Sequence, residues 1–328
     1  MPEHPVPSEY AVAVDVGGTS IKGAVVNRAT EPVAGLRRPT PRTEGPRAVV
    51  DAVAEVLRRL AEHAPGSAAG VMVTGVVDEP SQRAVYSATL GRRGLPLSEI
   101  LSRAAALPVT LGHDVWAGGM AETRLGAAQG ADDVLFCAIG TGIAAAPLVD
   151  GRPVSGHGHA DELGHVVTGP EGTACGCGGH GCLEFVASAA AAYSARSGRT
   201  VTGAAQVAGL KAACDPVAEA VWARAVTHLA TALASSVSLV SPQVVVMGGG
   251  LSEAGELLLG PLREQLDRRL TFHRRPTLVR AAPGDEAGCL GAGLLAWQTV
   301  HGATGPAACT GARDGARRPA TTAPMPDS

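Results

Sequence analysis

The chain has 328 residues, a formal net charge of −3 and only 3% aromatic residues. This length is sufficient for one or two domains with a large core, and the charge provides no basic field that would attract nucleic acid. The most apolar region, near 229–246, is interrupted by serines and a proline, which is typical of a buried helix and strand. We therefore expect a cytoplasmic protein without nucleic-acid or membrane partners.

The first predicted element is a strand, a tight turn and a second strand over residues 10–26, YAVAVDVGGTSIKGAVV. Apolar runs rich in β-branched residues on both sides of Gly17 and Gly18 are typical of a β-hairpin. The glycines would let backbone N–H groups approach phosphate oxygens, although this loop alone favours an ordinary turn. Asp15 is suited to hold Mg²⁺ through water. The candidate nucleotide-binding residues are Asp15, Gly17, Gly18, Thr19 and Lys22.

The next segments alternate between helical and extended patterns. Asp114 follows a short predicted strand, 108–111, and precedes a predicted helix. The N–H groups at the N-terminus of that helix can orient a carboxylate. Asp114 is the candidate catalytic base, and its alternative role is that of a helix N-cap. The predicted helices are 46–63, 97–106 and 115–125, and the predicted strands are 69–77 and 108–111.

A second strand, turn and strand covers residues 134–149, with Gly140, Thr141 and Gly142 in the turn. It repeats the design of the first hairpin, which indicates a duplicated fold. The presence of two such loops in one chain favours phosphate binding over two unrelated glycine turns.

Three cysteines and several histidines fall within the glycine-rich stretch 159–184, HADELGHVVTGPEGTACGCGGHGCLE. One histidine and three thiolates satisfy a four-coordinate structural zinc site, which would cross-link a segment with few apolar residues. Disulfide pairing needs an oxidising compartment, and the opening MPEHPVPSEY lacks the features of a secretory signal. Free buried thiols are a further alternative. The candidate ligands are Cys175, Cys177 and Cys182 with one of His157, His159, His165 and His180.

The remaining segments contain a third glycine cluster, Gly248, Gly249 and Gly250, directly after a buried strand. A turn without side chains there suits the flat ring of adenosine, or is an ordinary strand-to-helix turn. Residues 302–328 are rich in Ala, Gly, Pro, Thr and Arg without periodicity, which predicts a disordered tail. The predicted helices are 216–239, 256–270 and 288–299, and the predicted strands are 244–246 and 277–280.

The order of these segments resembles the ROK family of bacterial sugar kinases and sugar-responsive repressors. The resemblance is carried by DVGGTSIK, the Asp114 turn, AIGTGI, ELGH, CGCGGHGCLE and VVVMGGGLS, and it extends over about residues 10–300. It implies the actin-like (RNase H-like) ATPase fold, in which two α/β domains enclose an interdomain cleft. The expected domains are 10–112 together with 289–301, and 113–288 with the metal-binding loop.

The resemblance also implies roles for the candidate residues. ATP and Mg²⁺ would lie across the two Gly-Thr loops and the Gly248 cluster, and Asp114 would be the catalytic aspartate. His165 would be the fourth zinc ligand as well as a sugar ligand. Dimers are common in the family, so a homodimer is expected. The implied substrate-binding residues are Thr89, His113, Asp114, Glu162, His165 and Glu184.

Two positions depart from glucokinases of this family. His113 and Thr89 stand where asparagines usually contact sugar hydroxyls, and neither side chain offers the acceptor and two donors of an asparagine. Selectivity for a sugar depends on whether the pocket forms hydrogen bonds with each of its hydroxyl groups. The two departures are therefore compatible with phosphoryl transfer but weaken the case for glucose as the substrate.

The leading expectation is therefore an ATP-dependent kinase acting on the exocyclic hydroxymethyl (6-OH type) of a hexose. The alternative substrate is a hexose-like seven-carbon cyclitol of the valiolone or valienone type, phosphorylated on its 7-OH. A non-catalytic sugar-binding regulator is the third hypothesis. Because residues 1–9 precede the first predicted strand, we do not expect the DNA-binding domain of the family's repressors.

Overall fold

The computed structural model describes the greater part of the chain, and the predicted tail, Thr89 and Thr141 lie outside the described residues. Within the described part, the chain forms two five-stranded sheets and one three-stranded sheet, with helices packed on the larger sheets. The described residues are 9–87, 90, 92–140, 142–169, 174–201, 203–282 and 284–300.

The strands and helices follow one another from the first predicted hairpin to the end of the described chain. The strands are β1 (Tyr10–Val16), β2 (Ser20–Asn27), β3 (Pro32–Pro39), β4 (Ala69–Val73), β5 (Val76–Asp78), β6 (Arg83–Ser87), β7 (Arg92–Leu95), β8 (Val109–His113), β9 (Val134–Ile139), β10 (Ile143–Val149), β11 (Arg152–Pro153), β12 (Val244–Gly248) and β13 (Thr277–Arg280). The α-helices are α1 (Pro46–Ala61), α2 (Leu97–Ala105), α3 (Asp114–Leu125), α4 (Leu183–Val186), α5 (Ala189–Ser197), α6 (Ala204–Ala212), α7 (Pro216–Val240), α8 (Glu256–Arg269) and α9 (Ala287–Val300).

The two five-stranded sheets have the same topology, which confirms the duplication predicted from the hairpins. The first sheet has the order β3-β2-β1-β4-β8, and the second has the order β11-β10-β9-β12-β13. In each, an antiparallel hairpin is followed by two strands that run parallel to its first strand. The parallel strands are almost continuous apolar runs because helices cover the sheet.

The cores form where the helices cover the sheets. Helices α1 and α2 pack on the first sheet, and α7 and α8 lie in the apolar core of the second. Helix α9 packs on β1 and β4, whereas α3 packs on β9 and β10. The two helices cross in close contact, since a Cβ at Gly291 would lie 2.4 Å from Ala117 Cβ. This crossing connects the two sheets.

Several element predictions are confirmed, including both strands of the second hairpin and the strand β13. The single strand predicted over 69–77 is wrong: β4 ends at Val73, and β5 belongs to the three-stranded sheet. Gly75 adopts φ 110°, a conformation open to glycine, and interrupts the strand there. The sequence patterns also did not reveal β3, β6, β7, β11, α4, α5 and α6.

None of the helices in the described ranges, α7 included, combines the length and apolar character needed to cross a bilayer. The division into domains at 10–112 with 289–301, and 113–288, stays a prediction.

Candidate active site

Three parallel strands of the first sheet end at the same edge, and candidate residues follow two of them. In the strand register Val16 of β1 lies beside Val73 of β4, which lies beside His113 of β8. The first glycine loop follows β1, and Asp114 follows β8. Because neighbouring strands are about 4.8 Å apart, the loop and Asp114 are separated by roughly 10 Å along this edge.

The first glycine loop is a tight turn with a charged pair at its base. Gly17 N donates a 3.0 Å hydrogen bond to Ser20 O. Asp15 and Lys22 are direct cross-strand partners, so their side chains share one face of the hairpin. A Cβ at Gly288 would lie 2.5 Å from the Asp15 carboxylate, which places this carboxylate against the first turn of α9. The positive end of the helix dipole favours an ionised carboxylate there.

A cavity of about 390 Å³ lies beside Asp114, and we call it the acceptor cavity. Residues that follow β4 and β8 line one side of it, and residues that follow β9 and β12 line the other. The residues of the first glycine loop are not among those that line it. The predicted site residues that do line it are His113, Asp114, Gly140, Gly142, Glu162, His165, Glu184 and Gly249.

Asp114 is the first residue of α3, and His113 occupies the N-cap position. The alternative interpretation of Asp114 as an N-cap is therefore wrong, and the helix begins one residue earlier than predicted. Its Oδ1 accepts a 3.0 Å hydrogen bond from Val115 N. Burial raises the pKa of Asp114, and the nearby His113 lowers it to a smaller extent. The carboxylate is thus a stronger base than an aspartate in water.

Sequence reasoning did not identify Asp161, which lies next to His113. The two atoms His113 Nδ1 and Asp161 Oδ2 are 2.7 Å apart, and the Asp161 side chain is only 4% exposed. On the other side of the ring, His113 Nε2 lies 3.3 Å from Asp114 Oδ1. Burial lowers the pKa of His113, but the hydrogen bond to Asp161 and the charges of Asp114, Asp161 and Glu162 together raise it.

Glu184 connects the acceptor cavity to the second glycine loop. Its Oε2 accepts a 3.0 Å hydrogen bond from Ile143 N, the first residue of β10. A Cβ at Gly142 would lie 2.7 Å from the same oxygen, so a glycine is needed for this close approach. The carboxylate is therefore held against the backbone that continues from the second loop.

The third glycine cluster lies beside the second loop, because β12 is parallel to β9 with Gly248 opposite Ala138. Gly249 has φ 77°, and a Cβ there would lie 2.4 Å from Ile139 O, so only glycine fits.

A second cavity, of about 620 Å³, lies next to these two loops, and we call it the nucleotide cavity. Small residues of α5 and the start of α6 line one wall. It shares Gly140, Ile143 and Glu184 with the acceptor cavity, so the two cavities adjoin at the second glycine loop.

The predicted metal ligands are brought together in one Cys₃His cluster, formed by His165, Cys175, Cys177 and Cys182, whose ligand atoms all lie within 4.8 Å of one another. Cys177 Sγ is 3.7 Å from Cys182 Sγ, and His165 Nδ1 is 3.8 Å from Cys175 Sγ. Ligands about 2.3 Å from a tetrahedral zinc ion are separated by about 3.8 Å. A disulfide requires sulfurs about 2.0 Å apart, so these cysteines are free thiols and suit a metal.

The cluster adjoins both carboxylates that the sequence singled out. Cys182 is the N-cap residue of α4, and Glu184 lies in the first turn of that helix. His165 ends a short 3₁₀ turn whose N-cap residue is Glu162. With Nδ1 on the side of the cysteines, His165 Nε2 faces Glu162 Oε2 at 3.6 Å. The cluster therefore fixes two acidic residues of the acceptor cavity through the local backbone.

Comparison with known proteins agrees with this geometry. A glucokinase of Halalkalibacterium halodurans is 31% identical over 318 residues, which span 88% of this chain and 95% of that protein. Among solved structures, a ROK hexokinase from Thermus thermophilus has 34% identity and a TM-score of 0.80, covering 89% of this chain and 99% of that one. A ROK family glucokinase from Streptomyces griseus, in complex with glucose and AMPPNP, has 29% identity and a TM-score of 0.73, covering 88% and 99%.

These likenesses confirm the predicted actin-like ATPase fold, which ROK sugar kinases share. The sequence model of the ROK family matches residues 11–299, almost the whole of the described chain. The chain belongs to the ROK family.

Proposed function

We propose that this protein is an ATP-dependent kinase that phosphorylates the exocyclic hydroxymethyl group of a hexose or a hexose-like cyclitol. The observation that carries the proposal is the position of Asp114. Its carboxylate is not used as an N-cap, has a raised pKa and lines the acceptor cavity next to the second glycine loop. The glucokinase and hexokinase names of the relatives support the same reaction.

In this proposal Asp114 acts as the general base. An alcohol is too weak an acid to be deprotonated in advance by a carboxylate, so Asp114 accepts the hydroxyl proton as the O–P bond forms. The same bond formation displaces ADP from the terminal phosphoryl group. Glu162, His165 and Glu184 bind the ring hydroxyls and hold the reacting oxygen beside Asp114.

The nucleotide is proposed to lie across the nucleotide cavity, with its phosphates directed at the second glycine loop. The backbone of the second loop, Gly140, Thr141 and Gly142, is proposed to bind the phosphates, with Gly140 N donating to Gly142 O within the turn. The cluster Gly248, Gly249 and Gly250 is proposed to border adenosine, and Gly250 lines the cavity. Asp15 and Lys22 at the first loop suit the metal-bound phosphates. Gly17 closes the turn through its hydrogen bond to Ser20 O, so Gly18 N and the Thr19 hydroxyl are the proposed donors to the phosphates. Mg²⁺, when bound, would neutralise charge on the transferred phosphoryl group.

The Cys₃His cluster is proposed to hold a structural Zn²⁺. All four ligand positions are filled by His165, Cys175, Cys177 and Cys182, which leaves no open position for catalysis. The ion would keep Glu162 and Glu184 in place and take no part in phosphoryl transfer.

One observation favours a substrate other than glucose. His113 places Nδ1 2.7 Å from Asp161 Oδ2 and Nε2 3.3 Å from Asp114 Oδ1, so both carboxylates compete with a substrate hydroxyl for the ring nitrogens. An asparagine at this position would present a carbonyl and an NH₂ group to the substrate. A seven-carbon cyclitol with an exocyclic CH₂OH is therefore the second candidate beside hexoses.

We also propose a homodimer, which light scattering of the purified protein would test.

The test is an ADP-release assay with Mg-ATP and a panel of glucose, mannose, N-acetylmannosamine, allose and valiolone-type cyclitols. We expect acceptor-dependent ADP release with at least one member, and release from that acceptor slowed by about 10²–10⁴-fold in the Asp114→Asn variant. Stoichiometric acceptor binding without ADP release by the wild type would overturn the kinase and favour a sugar-binding regulator.

A further inference from the structure

A row of three side chains, the buried Asp161 and His113 and the partly exposed Asp114, lies along one wall of the acceptor cavity. We propose that Asp161 and His113 are positioning residues for the catalytic base: Asp161 holds His113 as an imidazolium ion, and this ion keeps Asp114 ionised and oriented. The effect on catalysis rests on the proposed kinase function. The pairing of Asp161 with His113 is tested by a measurement that needs no turnover.

The hydrogen-bonding capacity of the ring supports the imidazolium form. A neutral histidine donates from one nitrogen only, whereas both nitrogens of His113 face carboxylate oxygens, at 2.7 Å and 3.3 Å. His113 Nδ1 and Asp161 Oδ2 are buried and have no hydrogen-bond partner among the described residues, so their 2.7 Å contact is a contact between charged groups. Only the doubly protonated ring offers a donor to each carboxylate.

The charges around the ring point in the same direction. Four acidic residues surround His113, namely Asp114, Asp161, Glu162 and Glu79, and the first three raise its pKa. Burial raises the pKa of Glu79 to about 7, so Glu79 carries only part of a charge near neutral pH. A buried carboxylate such as Asp161 is costly unless it is paired, and His113 is its partner.

The consequence concerns the protonation state of the base. Burial raises the pKa of Asp114 and so favours its protonated form, which cannot accept a proton. The positive charge on His113 opposes this shift, whereas the negative charge on Asp161 adds to it. Asp161 therefore acts on Asp114 in two opposite ways, directly through its charge and indirectly through His113.

The direct and indirect effects of Asp161 on the pKa of Asp114 can be separated by kinetics. The acid limb of the kcat/KM profile against pH is measured with a productive acceptor for the wild type, His113→Asn, Asp161→Asn and the double variant. Loss of the imidazolium in His113→Asn should move the acid limb to higher pH by roughly one unit or more. Asp161→Asn should also move it upward, because His113 loses the carboxylate that keeps it protonated.

In the His113→Asn background the same Asp161→Asn change should move the acid limb downward or leave it in place. There it only removes a negative charge from beside Asp114. A structural role for Asp161 predicts the same direction of shift in both backgrounds, and that outcome would overturn the proposal. His63→Asn, a change at an exposed residue that follows α1, is the matched control and should leave the profile unchanged.

A titration that needs no turnover tests the pair itself. In ¹³C-detected NMR of the full chain, the imidazole signal absent from His113→Asn is assigned to His113. We expect its midpoint to lie above the ordinary histidine value and to fall by about one to three units in Asp161→Asn. Circular dichroism on each variant establishes that it is folded. A His113 midpoint unmoved by Asp161→Asn would refute the pair.

The two readouts separate the failure of this inference from failure of the proposed function. If no acceptor supports ADP release, the kinase proposal fails while the NMR midpoint still decides whether Asp161 holds His113 as an imidazolium ion. If turnover is present and the midpoint does not respond, only the inference fails.

Discussion

The two five-stranded sheets share one strand order but carry different insertions. In the first half, helix α1 connects β3 to β4, and the three-stranded sheet of β5, β6 and β7 follows. In the second half, residues 154–215 separate β11 from α7, and this segment contains the Cys₃His cluster, Glu162 and Glu184.

The comparison indicates that the two halves contribute different residues to the proposed active site. The repeated sheets place glycine loops at equivalent edges, after β1 and after β9. The first half then supplies Asp114 at the end of β8, and the insertion in the second half supplies the acidic residues of the acceptor cavity. Duplication therefore explains the proposed phosphate loops, whereas the acceptor-binding residues depend on an insertion that has no counterpart in the first half.

The largest expected effect tests whether the first half supplies the base. Asp114→Asn keeps the shape of the side chain and removes its ability to accept a proton. We expect kcat to fall by about 10²–10⁴-fold, the range typical of a positioned general base, with acceptor affinity changed only a few-fold. ADP release measures the first quantity, and titration calorimetry measures the second.

Asp51→Asn is the matched control, because its side chain is 71% exposed on α1. It should retain full activity. Wild-type turnover in Asp114→Asn would show that Asp114 is not the base and that the proposed contribution of the first half is wrong.

The next effect tests whether the insertion depends on its metal. Cys177→Ser removes one thiolate from the cluster, in which Gly179 N also donates to Cys177 Sγ at 3.4 Å. We expect zinc content to fall from about one ion per chain to below a tenth. Lost metal binding is lost folding free energy; a loss of about 3 kcal/mol would lower Tm by roughly 6–12 °C. Elemental analysis and thermal unfolding provide the readouts.

The exposed Cys214→Ser serves as the control, since Cys214 lies outside the cluster. A wild-type protein purified without any bound zinc, and unaffected by chelators, would contradict the structural role of the cluster.

The contrast between the halves also explains what the sequence could predict. The hairpin strands β9 and β10 were predicted because their apolar runs flank a glycine turn, a signal that is local. Cys175, Cys177 and Cys182 were recognisable because metal ligands repeat at short spacings. The position of Asp114 followed from the strand and helix on either side of it. The family resemblance then supplied His165 and the general fold.

What could not be predicted depends on tertiary contacts. Asp161 stands in a polar segment, and its burial results from packing against His113, far away in the chain. Helix α5, with the sequence AAAAYSARS, buries only Ala189 and Tyr193, so its apolar periodicity is weak. The break after Val73 depends on the backbone of Gly75, which the sequence does not reveal.

A smaller effect tests whether the glycine loops of the second half are structurally constrained. Gly249→Ala would place a Cβ 2.4 Å from Ile139 O at φ 77°. Strain of this kind costs about 1–3 kcal/mol, so Tm should fall by roughly 2–12 °C. The neighbouring Gly250→Ala is the control, because its Cβ would meet nothing within 4 Å, and its Tm should stay unchanged or rise slightly. Equal Tm values for the two variants would show that the loop tolerates a side chain.

The smallest expected effect concerns the contact that joins the insertion to the repeated sheet. Glu184→Gln keeps an oxygen acceptor for Ile143 N but removes the negative charge. Hydrogen bonds to charged groups exceed neutral ones by about 1 kcal/mol, so KM for the acceptor should rise by roughly fivefold while kcat changes less. Glu219→Gln, exposed in the first turn of α7, should leave both parameters unchanged. A fall in kcat with an unaltered KM would instead assign Glu184 to the transition state, because only an interaction absent from the ground state lowers kcat alone.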